Sequence, residues 1–210
     1  MGAQFGGWPE QAMDVLVRLQ GEPDRETRES CRADRERLVR QPMIDLLNEV
    51  ADADARYEDF SVWHYRTNSW WWQNQGAVIR IGRKVEIGLR FSLEGLRVQG
   101  AWWYPDAGQV DAYRGAVDAE GSGRELSALV DAVRNKGYDV SGDVMKRPPR
   151  GYPADHARAD LLRHRSLIAA RALGDEEWLH TAEAVDRVLA AAAYLDPLLT
   201  WLARHVTRTS

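Results

Sequence analysis

The chain has 210 residues, a length that can bury a sizeable hydrophobic core without metals or crosslinks. Hydrophobic residues make up 44% and charged residues 29% of the chain, which excludes the composition of a disordered protein. The net charge of −4 excludes the basic surplus of a nucleic-acid-binding protein, and no run of about 18 apolar residues predicts a membrane span. The single cysteine, Cys31, excludes an internal disulfide, and together with the absence of a signal-peptide pattern it predicts a cytoplasmic protein.

The first part of the chain predicts three helices. Pro9, a residue favoured in the first turn of a helix, precedes apolar residues with helical spacing as far as Leu19. The Gly-Glu-Pro sequence that follows ends this helix. A second helix, with charged residues on its outer face, is predicted over residues 24–39, and Pro42 opens a third.

The hydrophobic pattern then changes to the period of a β-strand. Bulky β-prone residues occupy 60–65 and 76–81, and turn residues at 82–84 and 94–95 separate the strands that follow. The apolar residues of the most regular strand alternate with polar ones and are Val85, Ile87, Leu89 and Phe91. We expect these four to be buried and Glu86 and Arg90 to lie on the opposite face of an antiparallel meander, which a last strand over 96–103 completes.

The second half of the chain predicts further helices. Asp106 caps a helix that continues to Val117, a Gly-Ser-Gly hinge follows at 121–123, and Gly137 ends the next helix. The remaining predicted elements are an extended segment over 138–145, a helix over 161–168 and two closing helices over 181–193 and 196–205. Together these elements predict one α+β domain over residues 1–210, in which N- and C-terminal helices pack on an antiparallel sheet.

A basic block with two adjacent prolines carries a family resemblance. Residues 146–152 (Lys-Arg-Pro-Pro-Arg-Gly-Tyr), Asp155-His156 and residues 161–167 (Leu-Leu-Arg-His-Arg-Ser-Leu) resemble the C-terminal signature of the domain of unknown function 2461 family, DUF2461. The pairs Trp-Tyr at 103–104 and Tyr-Arg at 113–114 are also similar to that family, and the resemblance extends over nearly the whole chain. Since the activity of the family is not established, the resemblance supports the fold and the compartment more than any chemistry.

One segment departs from the family pattern. Members of the family usually continue a Tyr-Arg pair with a lysine-rich run, whereas here Tyr65 and Arg66 are followed by Thr-Asn-Ser-Trp-Trp-Trp-Gln-Asn at 67–74. We therefore interpret the chain as a divergent member in which indole rings replace cations. This exchange implies a change from an anionic ligand to an aromatic or apolar one.

The density of tryptophan is the most informative feature of the chain. Six of its nine tryptophans lie between residues 63 and 103. Because neighbours in a strand point to opposite faces, three consecutive tryptophans in a strand would not all enter one core. The predicted substrate-binding residues are Trp63, Trp70, Trp71, Trp72, Trp102, Trp103 and Tyr104. The alternative is a sheet face covered by a protein partner or by a second copy of the chain.

Polar residues near these tryptophans are candidates for catalysis. The predicted catalytic residues are His64, Tyr65, Arg66, Glu86 and Arg90. His64 is a general-base candidate because an imidazole titrates near neutral pH, and Glu86 with Arg90 would place an acid and a cation in the pocket. The alternatives are a structural histidine at the end of a strand and an ordinary surface ion pair.

The histidines and cations of the C-terminal half do not indicate a cofactor. Asp155, His156 and His164 lack the spacing of a metal-ligand set, and Asp155 is better explained as a helix N-cap. We therefore predict no metal and no cofactor. The basic residues between 146 and 165 either hold a phosphate or carboxylate group or pair with buried carbonyls and acids.

These observations favour a small-molecule-binding protein with an aromatic pocket and an apolar or aromatic ligand. Its enzymatic form would be a cofactor-independent enzyme, such as a cyclase, of bacterial-type specialised metabolism, because such a reaction depends mainly on shape. The alternative is a non-catalytic interaction protein that uses the tryptophan-rich face in a homodimer or with a partner. Neither a nucleic acid nor a membrane is expected as a partner.

Overall fold

The computed structural model describes residues 4–64 and 69–206. In chain order the helices are α1 (Gln11–Arg18), α2 (Arg25–Arg35), α3 (Gln41–Ala53), α4 (Ser69–Gln73), α5 (Ala107–Asp118), α6 (Glu120–Asn135), α7 (Ala159–Leu162) and α8 (Glu183–Val206). The strands are β1 (Phe60–Val62), β2 (Gln75–Gly82), β3 (Val85–Ser92), β4 (Gly95–Trp102), β5 (Asp139–Ser141) and β6 (Leu167–Gly174). A π-helical turn, Glu36–Arg40, joins α2 to α3.

The six strands form one antiparallel sheet in the order β1-β2-β3-β4-β6-β5. Strand β1 pairs with β2 so that Phe60 lies opposite Ile79, and β5 pairs with β6 so that Asp139 lies opposite Ala170. Two-residue turns connect β2 to β3 and β3 to β4, and positive φ values occur at Lys84, the second residue of the first turn, and at Gly95, the residue that follows the second turn. The predicted α+β fold with an antiparallel meander is confirmed.

The period-two pattern of β3 is confirmed residue by residue. Val85, Ile87, Leu89 and Phe91 are all buried, whereas the side chains between them at Glu86 and Arg90 are only half-buried. The alternation therefore placed the core face of this strand correctly.

Three predictions of local structure were wrong in the tryptophan segment and beyond. Residues 70–72 lie in the short helix α4 rather than in a strand. Leu167 and Ile168 begin β6 rather than ending a helix, because pairing with β5 decides the conformation of a short apolar run whose periodicity is ambiguous. The predicted hinge at 121–123 lies inside α6, where Gly123 packs so closely on the Val117 carbonyl that a Cβ atom would overlap it.

The C-terminus also differs from its prediction, since one helix, α8, replaces the two closing helices. Pro197 lies inside it, although proline removes a backbone donor and usually ends a helix. Burial of the neighbouring side chains Leu195, Leu198 and Leu199 explains why the helix continues.

The chain divides into two compact units. The first comprises residues 1–79, 88–98 and 172–191, and the second comprises residues 80–87, 99–171 and 192–210. The expectation of one domain stays a prediction. Among the described residues, no helix combines the length and the apolar character needed to cross a membrane.

Each unit has an aromatic centre. In the first unit Trp8 stacks on Phe91 with ring centroids 4.5 Å apart, and its indole nitrogen donates to the Val39 carbonyl at 3.1 Å. In the second unit the ring of Tyr113 contacts Trp102 and Trp201 at centroid distances of 5.0 and 6.1 Å. These tryptophans are buried and belong to the cores of their units.

Candidate functional site

Three of the predicted tryptophans come together in the first unit. The ring centroid of Trp63 lies 5.8 Å from that of Trp70 and 4.9 Å from that of Trp71, and the last two are 4.7 Å apart. We call these three residues the indole cluster. Trp70 is 39% exposed and Trp63 and Trp71 are half-buried, so the cluster forms part of the surface of its unit.

Two residues explain how the sequence positions the indole cluster. Gly76 lies so close to the Trp63 ring that any Cβ atom would overlap the indole, so only glycine fits beneath it. Arg35, which is 2% exposed, donates from Nη2 to the carbonyl oxygens of Trp71 at 2.6 Å and Asn74 at 2.7 Å. Its Nε and Nη1 donate to the Trp72 carbonyl and the Gln75 side chain, so one guanidinium group satisfies the carbonyl end of α4.

Trp72 does not join the cluster. It is buried at 7% exposure and lies under the guanidinium group of Arg28, at 4.4 Å from the ring centroid. His64 is exposed and lines a separate groove of about 520 Å³ in the first unit with Glu29, Arg32 and Glu36. Tyr65 and Arg66, two of the predicted catalytic residues, lie outside the described residues.

A larger cavity, a cleft of about 750 Å³, lies in the second unit. Its lining comes from the end of β4, from the start of α5 and from the segments around residues 141–143 and 165–168. Its aromatic lining consists of Trp103 and Tyr104, and Arg114 and Arg165 contribute cations. Of the six tryptophans predicted to bind a substrate, Trp103 lines this cleft, and the assignment of the six to one pocket stays a prediction.

An aromatic shelf forms the rim of this cleft. The rings of Trp103 and Tyr104 stack with centroids 5.8 Å apart and planes inclined by 27°. Tyr104 is 82% exposed, and its φ of 44° lies in the left-handed region that a bulky residue rarely adopts. Neither the strained backbone nor the exposed ring contributes to the stability of the unit.

The two cations of the cleft differ in their partners. Arg165 forms an ion pair with Asp143 at 2.9 Å, and both side chains are about half exposed. The half-buried guanidinium group of Arg114 donates from Nη2 to the sulfur of Met145 at 3.0 Å and from Nε to the Leu162 carbonyl at 3.4 Å. Neither of these acceptors carries a charge.

The other predicted polar residues lie apart from these surfaces. In the second unit Glu86 is half-buried, and burial raises the pKa of its carboxyl group while the nearby Arg80 opposes the shift. In the first unit Arg90 pairs with Glu94 at 3.1 Å, which matches the alternative of an ordinary ion pair. Trp102 is fully buried against Tyr113 and offers no surface to a ligand in this structure. The assignment of these residues to a site stays a prediction.

The histidines of the C-terminal half are engaged in local contacts. His156 lies 3.3 Å from the Asp118 carboxylate and accepts a hydrogen bond from the Arg158 backbone, while buried His164 contacts the Ser166 carbonyl at 3.0 Å. Burial lowers the pKa of His164, which favours its neutral form. Within residues 4–64 and 69–206 no group of three or more potential ligands is arranged to hold a metal ion. The predicted cap at Asp155 was wrong, since α7 begins four residues later.

Sequence reasoning missed Arg114 and Asp143 as parts of a site, and it treated Arg165 only as one of many basic residues. The two residues Arg114 and Arg165 stand in segments that carry the family resemblance, which was the available signal. The segments that line the cleft are far apart in the sequence and come together only in the folded unit, so no sequence pattern indicated the cleft.

The comparisons with known proteins place the cleft inside a family match. A family model described as conserved hypothetical protein (DUF2461) matches residues 54–201, and all residues that line the cleft fall in that range. No curated protein and no solved structure matches the chain.

Proposed function

The chain belongs to the DUF2461 family, and we propose that it is a small-molecule-binding protein that holds a flat, ring-containing ligand in the cleft of its second unit. One observation carries this proposal: the exposed ring of Tyr104 is presented on a strained backbone beside Trp103 at the rim of the cleft. A flat ligand stacked on the two rings would bury surface that the folded chain alone leaves in water.

The size and lining of the cleft support the same proposal. Its volume of about 750 Å³ falls within the range of small-molecule pockets, which is roughly 300–1,000 Å³. Its apolar lining consists of the two aromatic residues with Pro105, Ala107, Val110 and Ile168, and the polar part of the wall includes two arginines and three aspartates that can orient a ligand. The expectation of an aromatic pocket is therefore retained, with its centre at Trp103 and Tyr104 instead of Trp70 to Trp72.

A cofactor-independent reaction on the bound ligand, such as a cyclisation, is the enzymatic form of this proposal. It would depend on the cleft to hold the ligand in a reactive shape. A cytoplasmic location also belongs to the proposal, because a lone cysteine, the buried Cys31, suits a reducing compartment.

The experiment is a fluorescence titration with N-phenyl-1-naphthylamine, a neutral aromatic probe whose emission rises in an apolar site. We expect saturable binding to the wild-type chain and about fivefold weaker binding to Tyr104→Asn, because stacking on an aromatic ring contributes on the order of 1 kcal/mol. Trp70→Ala is the matched control, since it removes an exposed ring from the indole cluster and leaves the cleft intact. Equal binding by Tyr104→Asn and the wild-type chain would reject the cleft as the site.

A second candidate function follows from the indole cluster. Few large apolar side chains are exposed in the part of the chain that the structure describes, and Trp70 is one of them. Its ring contacts the indoles of Trp63 and Trp71. If the chain is an interaction protein, this surface is the part covered by a second copy. Sedimentation equilibrium over a wide concentration range would then show a dimer in the wild-type chain and a monomer in Trp70→Glu. A monomer at all concentrations would remove this candidate.

A further inference from the structure

We infer that the ligand of the cleft carries an oxyanion, a carboxylate, sulfonate or phosphate group, and that Arg114 is the residue that binds it. This inference rests on the proposed function and adds the chemical class of the ligand. It comes from a comparison of the arginines of the second unit, which differ in whether their charge is compensated.

Several arginines of the second unit have a carboxylate partner. Arg158 pairs with Glu120 at 3.3 Å, Arg163 with Asp160 at 2.8 Å and Arg165 with Asp143 at 2.9 Å. Arg114 differs from these three, because among the described residues it forms no ion pair. Asp111 lies one turn earlier on the same helix but is not within ion-pair distance of Arg114.

The contacts of Arg114 leave much of its hydrogen-bonding capacity unused. A guanidinium group has five N–H donors, and the structure uses one on the Met145 thioether and one, at 3.4 Å, on the Leu162 carbonyl. A thioether sulfur is a weak acceptor, and 3.4 Å is long for an N–H···O bond. The group is nevertheless half-buried, so it has lost part of its hydration without gaining a compensating charge.

An oxyanion in the cleft would supply both the hydrogen-bond acceptors and the negative charge that Arg114 lacks. Carboxylate, sulfonate and phosphate groups accept two parallel hydrogen bonds from the guanidinium fork, and such charge-assisted bonds are the strong ones. Arg114 and the Trp103–Tyr104 shelf line the same cleft, so one ligand can occupy both. Two of the three carboxylates that line the cleft are paired, Asp143 with Arg165 at 2.9 Å and Asp106 with Arg83 at 3.7 Å, and the third, Asp111, is exposed to water. Arg114 is therefore the half-buried cation of the lining that is left to bind an anion.

Two related probes separate this inference from the proposed function. N-phenyl-1-naphthylamine is neutral, and 8-anilinonaphthalene-1-sulfonate is the same ring system with a sulfonate group. We expect Arg114→Gln to weaken binding of the sulfonate probe by about tenfold or more, since it removes a charge-assisted hydrogen bond, and to change binding of the neutral probe by less than about twofold. Arg114→Lys should fall between, because lysine keeps the charge without the fork.

Arg124→Gln is the matched control, because it removes an equal charge from an exposed arginine of the same unit that pairs with Glu120. If Arg114→Gln and Arg124→Gln bind the sulfonate probe equally well, the inference is wrong. If Arg114→Gln loses the neutral probe to the same extent as the sulfonate probe, Arg114 supports the shape of the cleft instead of selecting an anion.

A measurement on the wild-type chain covers the case in which Arg114→Gln does not fold. Raising the salt concentration from about 0.05 to about 0.5 M should weaken binding of the sulfonate probe and leave the affinity for the neutral probe unchanged, because salt screens the attraction between charges. Equal salt dependence for the two probes would overturn the inference while leaving the proposed function standing. If neither probe binds and Tyr104→Asn changes nothing, the proposed function fails and the inference falls with it.

Discussion

Glu86 is the residue whose titration is expected to affect folding. Burial raises the pKa of its carboxyl group above the usual 4.5, and Arg80 only partly offsets this effect. A raised pKa in the folded state means that the protonated acid is favoured by folding, so its contribution to stability is complete below pH 4.5 and is lost as the pH rises through the folded value. Glu86→Gln cannot ionise, so its free energy of unfolding relative to the wild-type chain should be higher at about pH 7 than at about pH 4.

Chemical denaturation at several pH values measures this difference. Glu125→Gln, which removes a carboxylate from the exposed surface of α6, serves as the control. A difference between Glu86→Gln and the wild-type chain that stays constant from about pH 4 to about pH 7 would show that Glu86 has the same pKa in the folded and unfolded chains.

Tyr104 gives a second prediction at the scale of one residue. Its φ of 44° costs a non-glycine residue on the order of 1 kcal/mol, and its ring is 82% exposed, so it contributes little burial in return. Asparagine tolerates the left-handed region better than tyrosine. The free energy of unfolding of Tyr104→Asn should therefore equal that of the wild-type chain or exceed it by up to about 1 kcal/mol, which thermal unfolding measures. The same variant should bind the neutral probe more weakly. A loss of more than about 1 kcal/mol would identify Tyr104 as a structural residue.

At the scale of an element, α4 depends on one buried side chain from α2. Arg35 donates hydrogen bonds to the carbonyl end of this short helix and to Gln75 at the start of β2. A helix of five residues cannot be stable by itself, so these bonds decide that residues 69–73 are helical. Arg35→Ala leaves several buried acceptors without a donor and should lower the free energy of unfolding by roughly 3 kcal/mol or more.

Hydrogen exchange gives the local measurement for this prediction. In Arg35→Lys, which keeps the charge but has fewer donors, amides of residues 70–75 should exchange faster while those of α3 keep their protection. Arg32→Ala, in which an exposed pair with Glu29 is lost, should change stability by less than about 0.5 kcal/mol. If Arg35→Ala were as mild as Arg32→Ala, the role of Arg35 in holding α4 would be refuted.

At the scale of the whole molecule, the nine tryptophans report on which surface is covered. Trp8, Trp72, Trp102, Trp178 and Trp201 are buried, whereas Trp70 is 39% exposed. We expect iodide to quench a minor fraction of the tryptophan emission, and Trp70→Phe to reduce that fraction more than Trp201→Phe does. In a monomer the quenchable fraction should not depend on protein concentration. A fraction that falls as concentration rises would favour the interaction surface over the cleft as the main function of the chain.

The sequence by itself determined the parts of the fold that follow from a local period. The alternation at Val85, Ile87, Leu89 and Phe91 predicted the core face of β3, and Asp106 and Gly137 marked the start of α5 and the end of α6, because side-chain direction and helix capping depend on residues a few positions apart. The same reasoning predicted that tryptophans and Tyr104 would reach the surface, but it grouped them in one pocket.

Only the tertiary structure decided which of these residues meet. Arg35, from a helix distant in the chain, donates to the carbonyl end of α4, and in that helix Trp72 is buried under Arg28 whereas Trp70 and Trp71 are in ring contact. Leu167 and Ile168 became a strand because β5 was available for pairing, and the folded unit brings the Arg165 segment to the same cleft as Trp103 and Arg114. Contacts between residues far apart in the chain have no local period, so a candidate site built from them becomes visible only once the chain is folded.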